Sequence, residues 1–149
     1  MEWLVKNHPE LQVHGFDIAA NCLNPFFAGR ETEFLTTGCL WVEGDIPKGF
    51  DAVFCTDVME HIPPEHVDAV LLNLRKASGK AAFLGIALFE DGFGPQIIGA
   101  HLHLTIRPSA WWIERIKVAG FKIEAQKVAH DQVRKPMWLY VAAVPESPH

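Results

Sequence analysis

The sequence is short of the features that announce several common protein classes. Its three cysteines, Cys22, Cys39 and Cys55, are odd in number and widely spaced. They form no CxxC or zinc-ribbon pattern and suggest no disulfide framework. Their apolar or loop settings suit reduced cytosolic thiols. No apolar run approaches the roughly 20 residues needed to span a bilayer. The first residues, Met1 to Lys6, lack a cationic stretch followed by an apolar one, so no signal peptide is read there. Positive charge is in deficit, with 13 Lys and Arg against 18 Asp and Glu, a net charge of -5 and pI near 5.9. That balance disfavours broad, charge-driven binding of nucleic acid. Repeats, low-complexity tracts and linkers are missing too, so residues 1–149 are read as one domain. The expected setting is the cytoplasm, with no membrane partner.

What the chain does have is core material: 49% hydrophobic and 21% charged residues, a balance that suits a folded domain and argues against disorder. Met1 to Asn7 reads as the tail of a helix closed by His8-Pro9. Leu11 to Phe16 reads as a short strand ending on Asp17, and Asn24-Pro25 to Leu35 as a weakly patterned helix. Leu40-Trp41-Val42 reads as a strand running to Gly44-Asp45. Phe50 to Thr56 is a continuous apolar run, the pattern of a strand buried on both faces. Pro63-Pro64-Glu65 opens a helix, and Val67, Val70, Leu71 and Leu74 form its apolar stripe. Ala81 to Phe89 reads as another buried strand, followed by a glycine-rich loop from Asp91 to Gly99. Pro108-Ser109 opens a helix carrying Trp112, Ile113 and Ile116 that ends at Gly120. Phe121–Val128 and Met137–Val144 read as an antiparallel pair. The fold class is therefore α/β: a mostly parallel, Rossmann-like sheet flanked by helices, with an antiparallel C-terminal strand pair.

In such sheets ligands gather beyond the carboxyl ends of the strands. Asp17 there has the chemistry to accept both hydroxyls of a ribose, or simply to make a turn. Asp45 has the chemistry to accept from an adenine amino group, or again to turn the chain. Asp57, Glu60 and His61, at i, i+3 and i+4, share one face of a helical turn. Two carboxylates and an imidazole suit Mg, Mn or a similar divalent ion, and His101 or His103 from the later loop would complete the set. Two other readings stay open. His61 or His103 serves as a metal-free general base, or the segment is a cap that only packs.

Three segments then follow at short spacing: Val13-His14-Gly15-Phe16-Asp17-Ile18, Glu43-Gly44-Asp45-Ile46-Pro47, and Phe50-Asp51-Ala52-Val53 running on to Glu60-His61-Ile62. With the later Trp111-Trp112 and Ala119-Gly120-Phe121, this order resembles the class I S-adenosylmethionine-dependent methyltransferases, especially the group containing small-molecule O-methyltransferases. The resemblance runs from about Glu10 to Val144. It implies that Asp17 holds the ribose, that Ile18 and Ile46 pack on the adenine beside Asp45, and that Thr56 touches the methionine part of the cofactor. Asp57-x-x-Glu60-His61 is similar to the ExxEH metal-binding segment of ubiquinone-biosynthesis O-methyltransferases and small-RNA 2′-O-methyltransferases, with Asp in place of the first Glu.

That family opens with a strand, an acid and a Gly-x-Gly loop, in which glycine lets the backbone approach the cofactor. Met1 to Pro9 matches only the end of the helix after that loop, so the domain is expected to lack its first strand. The absent strand would lie between Leu11–Phe16 and Phe50–Thr56, leaving two edges to satisfy. They are expected to pair with each other or to take a strand from a second copy in a homodimer. The leading expectation is methyl transfer to an oxygen or nitrogen of a small-molecule acceptor. A non-catalytic, methyltransferase-like binding or partner module stands as the alternative. A nicotinamide dehydrogenase fits the Glu60-His61-Ile62 segment and the terminal strand pair poorly.

Overall fold

The computed structural model describes residues 1–146. They divide into two compact units, Met1–Pro47 and the described residues from Lys48 onward, and each is described by itself. In the first unit, α1 (Glu2–Asn7) precedes β1 (Gly15–Asp17), and a short α2 (Glu31–Phe34) runs into β2 (Leu35–Thr37). β1 and β2 pair in parallel, Gly15 opposite Leu35 and Asp17 opposite Thr37. Phe27, from a 3-10 turn over Pro25–Phe27, and Leu35 are the buried apolar anchors of this half, with Ile46.

Three elements differ here from the sequence pattern, the first being the strand expected over Leu11 to Phe16, which is confined to Gly15–Asp17. The Asn24–Leu35 helix is broken into the turn at Pro25–Phe27 and the four residues of α2, with Gly29 at φ +78° between them. Leu40-Trp41-Val42 is not a strand. Val42 N–H donates to the Cys39 carbonyl, and the Asp45 carboxylate accepts from Cys39 N–H at 2.9 Å, so the chain turns rather than extends. The second strand comes earlier, at Leu35–Thr37.

The second unit is a four-stranded sheet in the order β3 (Phe50–Thr56), β4 (Ser78–Ala87), β6 (Pro136–Pro145), β5 (Phe121–His130). β3 and β4 are parallel, while β6 runs against both β4 and β5. Three strands thus share one direction, and the terminal antiparallel pair is as the alternation of Phe121 to Val128 indicates. Between them lie α3 (Val67–Ala77), α4 (Phe93–Ile97) and α5 (Ser109–Val118).

One face of this sheet is the core. Ala82 opposes Ala143, Leu84 opposes Val141 and Ile86 opposes Leu139, all buried. α3 packs on β3 and β4, α5 packs on β5, and the two helices touch. The stripe Val67, Val70, Leu71 and Leu74 is buried as its spacing requires, each side chain contributing about 1.5–3 kcal/mol. α5 adds Trp112 and Ile116, and it ends at Gly120, whose φ of +90° only glycine adopts without strain.

The opposite face corrects the expectation that Phe50–Thr56 is buried on both sides. Phe54 is 74% exposed and stacks on Phe83, with ring centroids 5.3 Å apart. Phe83, Tyr140 and Trp138 continue the row across β4 and β6. The apolar run is real, but β3 is the end strand of its sheet, where α3 packs on one face and Phe54 stands exposed on the other. Among the described residues the ladders are β1-β2 and β3-β4-β6-β5, and the expected β1–β3 ladder is not one of them. Among the described residues no helix is long and apolar enough to cross a membrane.

The two faces of this sheet separate experimentally. Leu71→Ala should cost about 2–5 kcal/mol in urea unfolding, because the cavity forms in the helix–sheet core. Phe54→Ser should leave the urea midpoint within about 0.5 kcal/mol while raising solubility. Equal losses from both substitutions would mean that the aromatic face is core as well.

Candidate functional site

The loops that leave the carboxyl ends of β3 and β4 carry the candidate residues Asp57, Glu60, His61 and His103. β3 ends on Thr56, which sits opposite Gly85 in the ladder. A Cβ on Gly85 would come within 2.9 Å of the Thr56 methyl, so glycine lets the two strands end close together. Asp57 follows with a φ of 59°, a left-handed conformation uncommon outside glycine, and its N–H is tied to the Gly85 carbonyl at 3.0 Å. The chain then closes a 3-10 turn over Met59–His61. The expected helical turn is thus a 3-10 turn, and Asp57 joins its face through the positive φ.

Glu60 is fully buried. Its backbone carbonyl accepts from Leu104 N–H at 2.7 Å and Thr105 N–H at 2.9 Å, and the Thr105 hydroxyl donates to the Ile62 carbonyl at 2.6 Å. The loop after β4 is thereby fastened over the turn after β3. The Glu60 carboxylate is different: neither oxygen has a hydrogen-bond partner. Burial pushes this carboxyl above its usual range, only partly offset by the backbone N–H groups of Glu60 and Ala87 nearby.

Two histidines complete the group. His61 Nδ1 lies 2.9 Å from the Leu102 carbonyl, and His103 Nδ1 lies 2.6 Å from the Phe89 carbonyl. A carbonyl only accepts, so Nδ1 is the protonated nitrogen and Nε2 the lone-pair nitrogen of each ring in its neutral form. The rings meet edge to face at 4.9 Å. One ligand atom from each of Asp57, Glu60, His61 and His103 falls within 4.8 Å of the others. Of the two histidines expected as fourth member, the loop delivers His103, while the His101 side chain is 59% exposed and stands beside Asp91.

The candidate cofactor residues of the first unit are set differently. Asp17, at the end of β1, lies on the wall of a cavity of about 410 Å³ that Phe16, Cys22, Phe27 and Leu35 also line. Its Oδ1 already accepts from Ala19 N–H at 2.9 Å, the turn geometry weighed against the ribose role. Burial and the Asp17 carboxylate push the Cys22 thiol up. Asp45 holds the turn described above, Ile46 is buried beside it, and Ile18 is 74% exposed. Thr56 is half-buried at the tip of β3.

The sequence analysis did not single out Asp91 as a site residue. This side chain, 8% exposed, accepts from the N–H groups of Gly94, Leu102 and His103 and so folds the loop that presents the histidine. An Asp three residues before a Gly at the head of a loop was the available signal.

With this geometry in view, the chain can be set beside known proteins. No protein-family model and no curated protein matches its sequence. Solved structures do match its fold. Magnesium protoporphyrin IX methyltransferase from Synechocystis PCC 6803, with bound SAH, superposes at a TM-score of 0.56 and 19% identity, over 76% of this chain and 51% of that one. The S-adenosylmethionine-dependent methyltransferase SibL superposes at 0.69 and 18% identity, over 97% of this chain and 46% of that one. The PH0226 protein of Pyrococcus horikoshii OT3 gives 0.72 and 13% identity, over 97% and 76%. The chain therefore has the class I S-adenosylmethionine-dependent methyltransferase fold, and it spans about half the length of the first two of these proteins.

Asp91 provides a check on the loop. Burial raises a carboxyl, but here three backbone N–H groups and His103 outweigh it and hold Asp91 down to about 2, against 3.8 ordinarily. With the folded value depressed, its stabilising contribution is complete above the unfolded pKa and is lost as pH falls through 2. Carbon-13 titration of the Asp91 carboxyl should give a midpoint near 2. A midpoint near the ordinary value would mean that the loop is open in solution.

Proposed function

We propose that the chain is a cytoplasmic S-adenosylmethionine-dependent methyltransferase acting on an oxygen or nitrogen of a small-molecule acceptor. The acceptor atom is activated at Asp57, Glu60, His61 and His103. The observation that carries this reading is the convergence of those four side chains, beyond the carboxyl ends of two parallel strands of a methyltransferase fold. S-adenosylmethionine supplies an electrophilic methyl on a sulfonium. The acceptor lone pair has to meet it in line, so holding the acceptor still supplies much of the rate. A hydroxyl acceptor must also lose its proton, and the Nε2 lone pairs of His61 and His103 would take it or bind a metal.

The donor set fits a divalent cation. Glu60 offers two buried oxygens without partners, and each histidine has its other nitrogen fixed by a carbonyl, as metal-bound histidines usually do. Two carboxylates with two imidazoles suit Mn or a similar ion at least as well as Mg. A cation there would polarise the acceptor hydroxyl and lower its pKa. The second reading, favoured by the same lone pairs, has His61 or His103 as general base with no metal. In the first unit Asp17 would take the ribose hydroxyls with Ile18 near the adenine, and Asp45 and Ile46 would flank it. The backbone bonds already made by Asp17 and Asp45 favour the non-catalytic alternative, which a cofactor titration decides.

Calorimetry with S-adenosylhomocysteine should detect binding, and Asp17→Ala should weaken it by about 1–3 kcal/mol through the lost charge-assisted bond to ribose. Absence of binding would favour the non-catalytic module, and an unchanged Kd in the variant would refute the Asp17 assignment.

Chelator should abolish methyl transfer, with Mn or Mg restoring it. His103→Ala should lower kcat by about 10²–10⁴-fold under either reading. Activity indifferent to chelator but lost in this variant leaves the general-base reading. In metal-free protein Glu60→Gln should raise the urea midpoint, because it removes an unpartnered buried charge, while lowering activity.

A further inference from the structure

The two histidines share a support that neither touches with its ring. Asp91 Oδ1 accepts from Gly94 N–H at 2.5 Å, and Oδ2 accepts from Leu102 N–H at 2.7 Å and His103 N–H at 3.2 Å. Leu102 is also the residue whose carbonyl accepts from His61 Nδ1, and His103 is the second histidine itself. Phe89, whose carbonyl holds His103 Nδ1, lies two residues before Asp91. One nearly buried carboxylate thus fixes both ends of the loop, and with them the carbonyls that decide which nitrogen of each imidazole is protonated. Gly94 keeps the clasp tight: a Cβ there would stand 2.3 Å from the Ala100 carbonyl oxygen and 2.7 Å from Asp91 Oδ1. His101 does not compete for the carboxylate, since its Nδ1 is 3.7 Å away and its side chain is 59% exposed.

We propose that Asp91 is a positioning residue: by clasping the 91–103 loop it holds His61 and His103 in the Nδ1–H tautomer and leaves their Nε2 lone pairs to the group they form with Asp57 and Glu60. Its importance for methyl transfer rests on the reading of that cluster as the reactive site. The effect on the imidazoles does not. A carboxylate suits the task because it accepts three N–H donors and offers none in return. An asparagine at the same place would set its own N–H group against one or more of those donors. A staple that did not hold the Leu102 and Phe89 carbonyls would leave the tautomers free. This one acts through the Leu102 and Phe89 carbonyls and reaches the rings.

Long-range 15N–1H correlation spectra of the full chain near pH 8 read the tautomers directly. The wild type should show both His61 and His103 as Nδ1–H. Asp91→Asn should lose that preference in both rings, which would take the shifts of free imidazole. Gly94→Ala should do the same by prising the clasp open with the carboxylate still present. Asp131→Asn is the control. Asp131 staples a different loop by accepting from Val133 and Lys135 N–H, and its loss should leave both imidazoles unchanged. Backbone amide spectra verify that the fold survives in each variant. Nε2–H imidazoles in the wild type would overturn the proposal, as would unchanged tautomers in both Asp91→Asn and Gly94→Ala. If the tautomers respond as expected but His61→Ala and His103→Ala leave methyl transfer untouched, the role of Asp91 stands and the proposed function falls.

Discussion

Glu60 is the residue on which the second unit turns, because its two halves face opposite demands. The backbone carbonyl is doubly satisfied, accepting from Leu104 and Thr105 and so locking the loop after β4 to the turn after β3. The carboxylate a few ångströms away is fully buried and has no partner. Leaving a buried acceptor unpaired costs about 1–3 kcal/mol, and more when it is charged. A fold that needed only the lock would be better served by an apolar side chain at this position, since the carbonyl does the fastening. The carboxyl is a local cost that the core of the unit offsets, and costs of that kind concentrate at functional sites.

Asp57 points the same way. Its left-handed φ is uncommon for a side-chain-bearing residue, and the bond from its N–H to Gly85 holds it there. A glycine would turn the corner without strain. An aspartate turns it and brings a carboxylate into the group that Glu60, His61 and His103 form. Two such locally unfavourable choices within four residues, both converging on one point, are hard to attribute to packing alone. The buried stripe of α3 and the paired faces of β4 and β6 offset them.

Much of this second unit was legible in the sequence because its elements repeat a period long enough to read. The stripe Val67, Val70, Leu71 and Leu74 could hardly serve anything but a helix with one wet face. Phe121–Val128 announced itself by alternation and Met137–Val144 by its apolar run, with a polar loop between them, and the strands run one or two residues beyond those bounds. The first unit was less legible. Its strands are three residues each, too short for any period, and their ends are set by turns such as the one Asp45 closes from six residues away. An apolar run also says nothing about how many faces will be covered. Phe50–Thr56 reads as a fully buried strand, yet burial depends on what packs on each side of the sheet. Here Phe54 is left to stack on Phe83 in a row of rings that shield one another from water only partly.

The site was legible to the extent that its residues are close in sequence. Asp57, Glu60 and His61 stand out by spacing, and the structure brings all three together, though by a 3-10 turn and one positive φ rather than by an α-helix. The choice between His101 and His103 was not readable, because the two differ only in which way an irregular loop turns. The missing information was in Asp91. Its carboxylate takes the N–H groups of Leu102 and His103, and that pair of bonds decides which histidine faces inward and which faces water. Carboxylates that clasp a loop have no period, and their partners lie a dozen residues away. The residue that sets this site's geometry is therefore the one its sequence neighbourhood announces least.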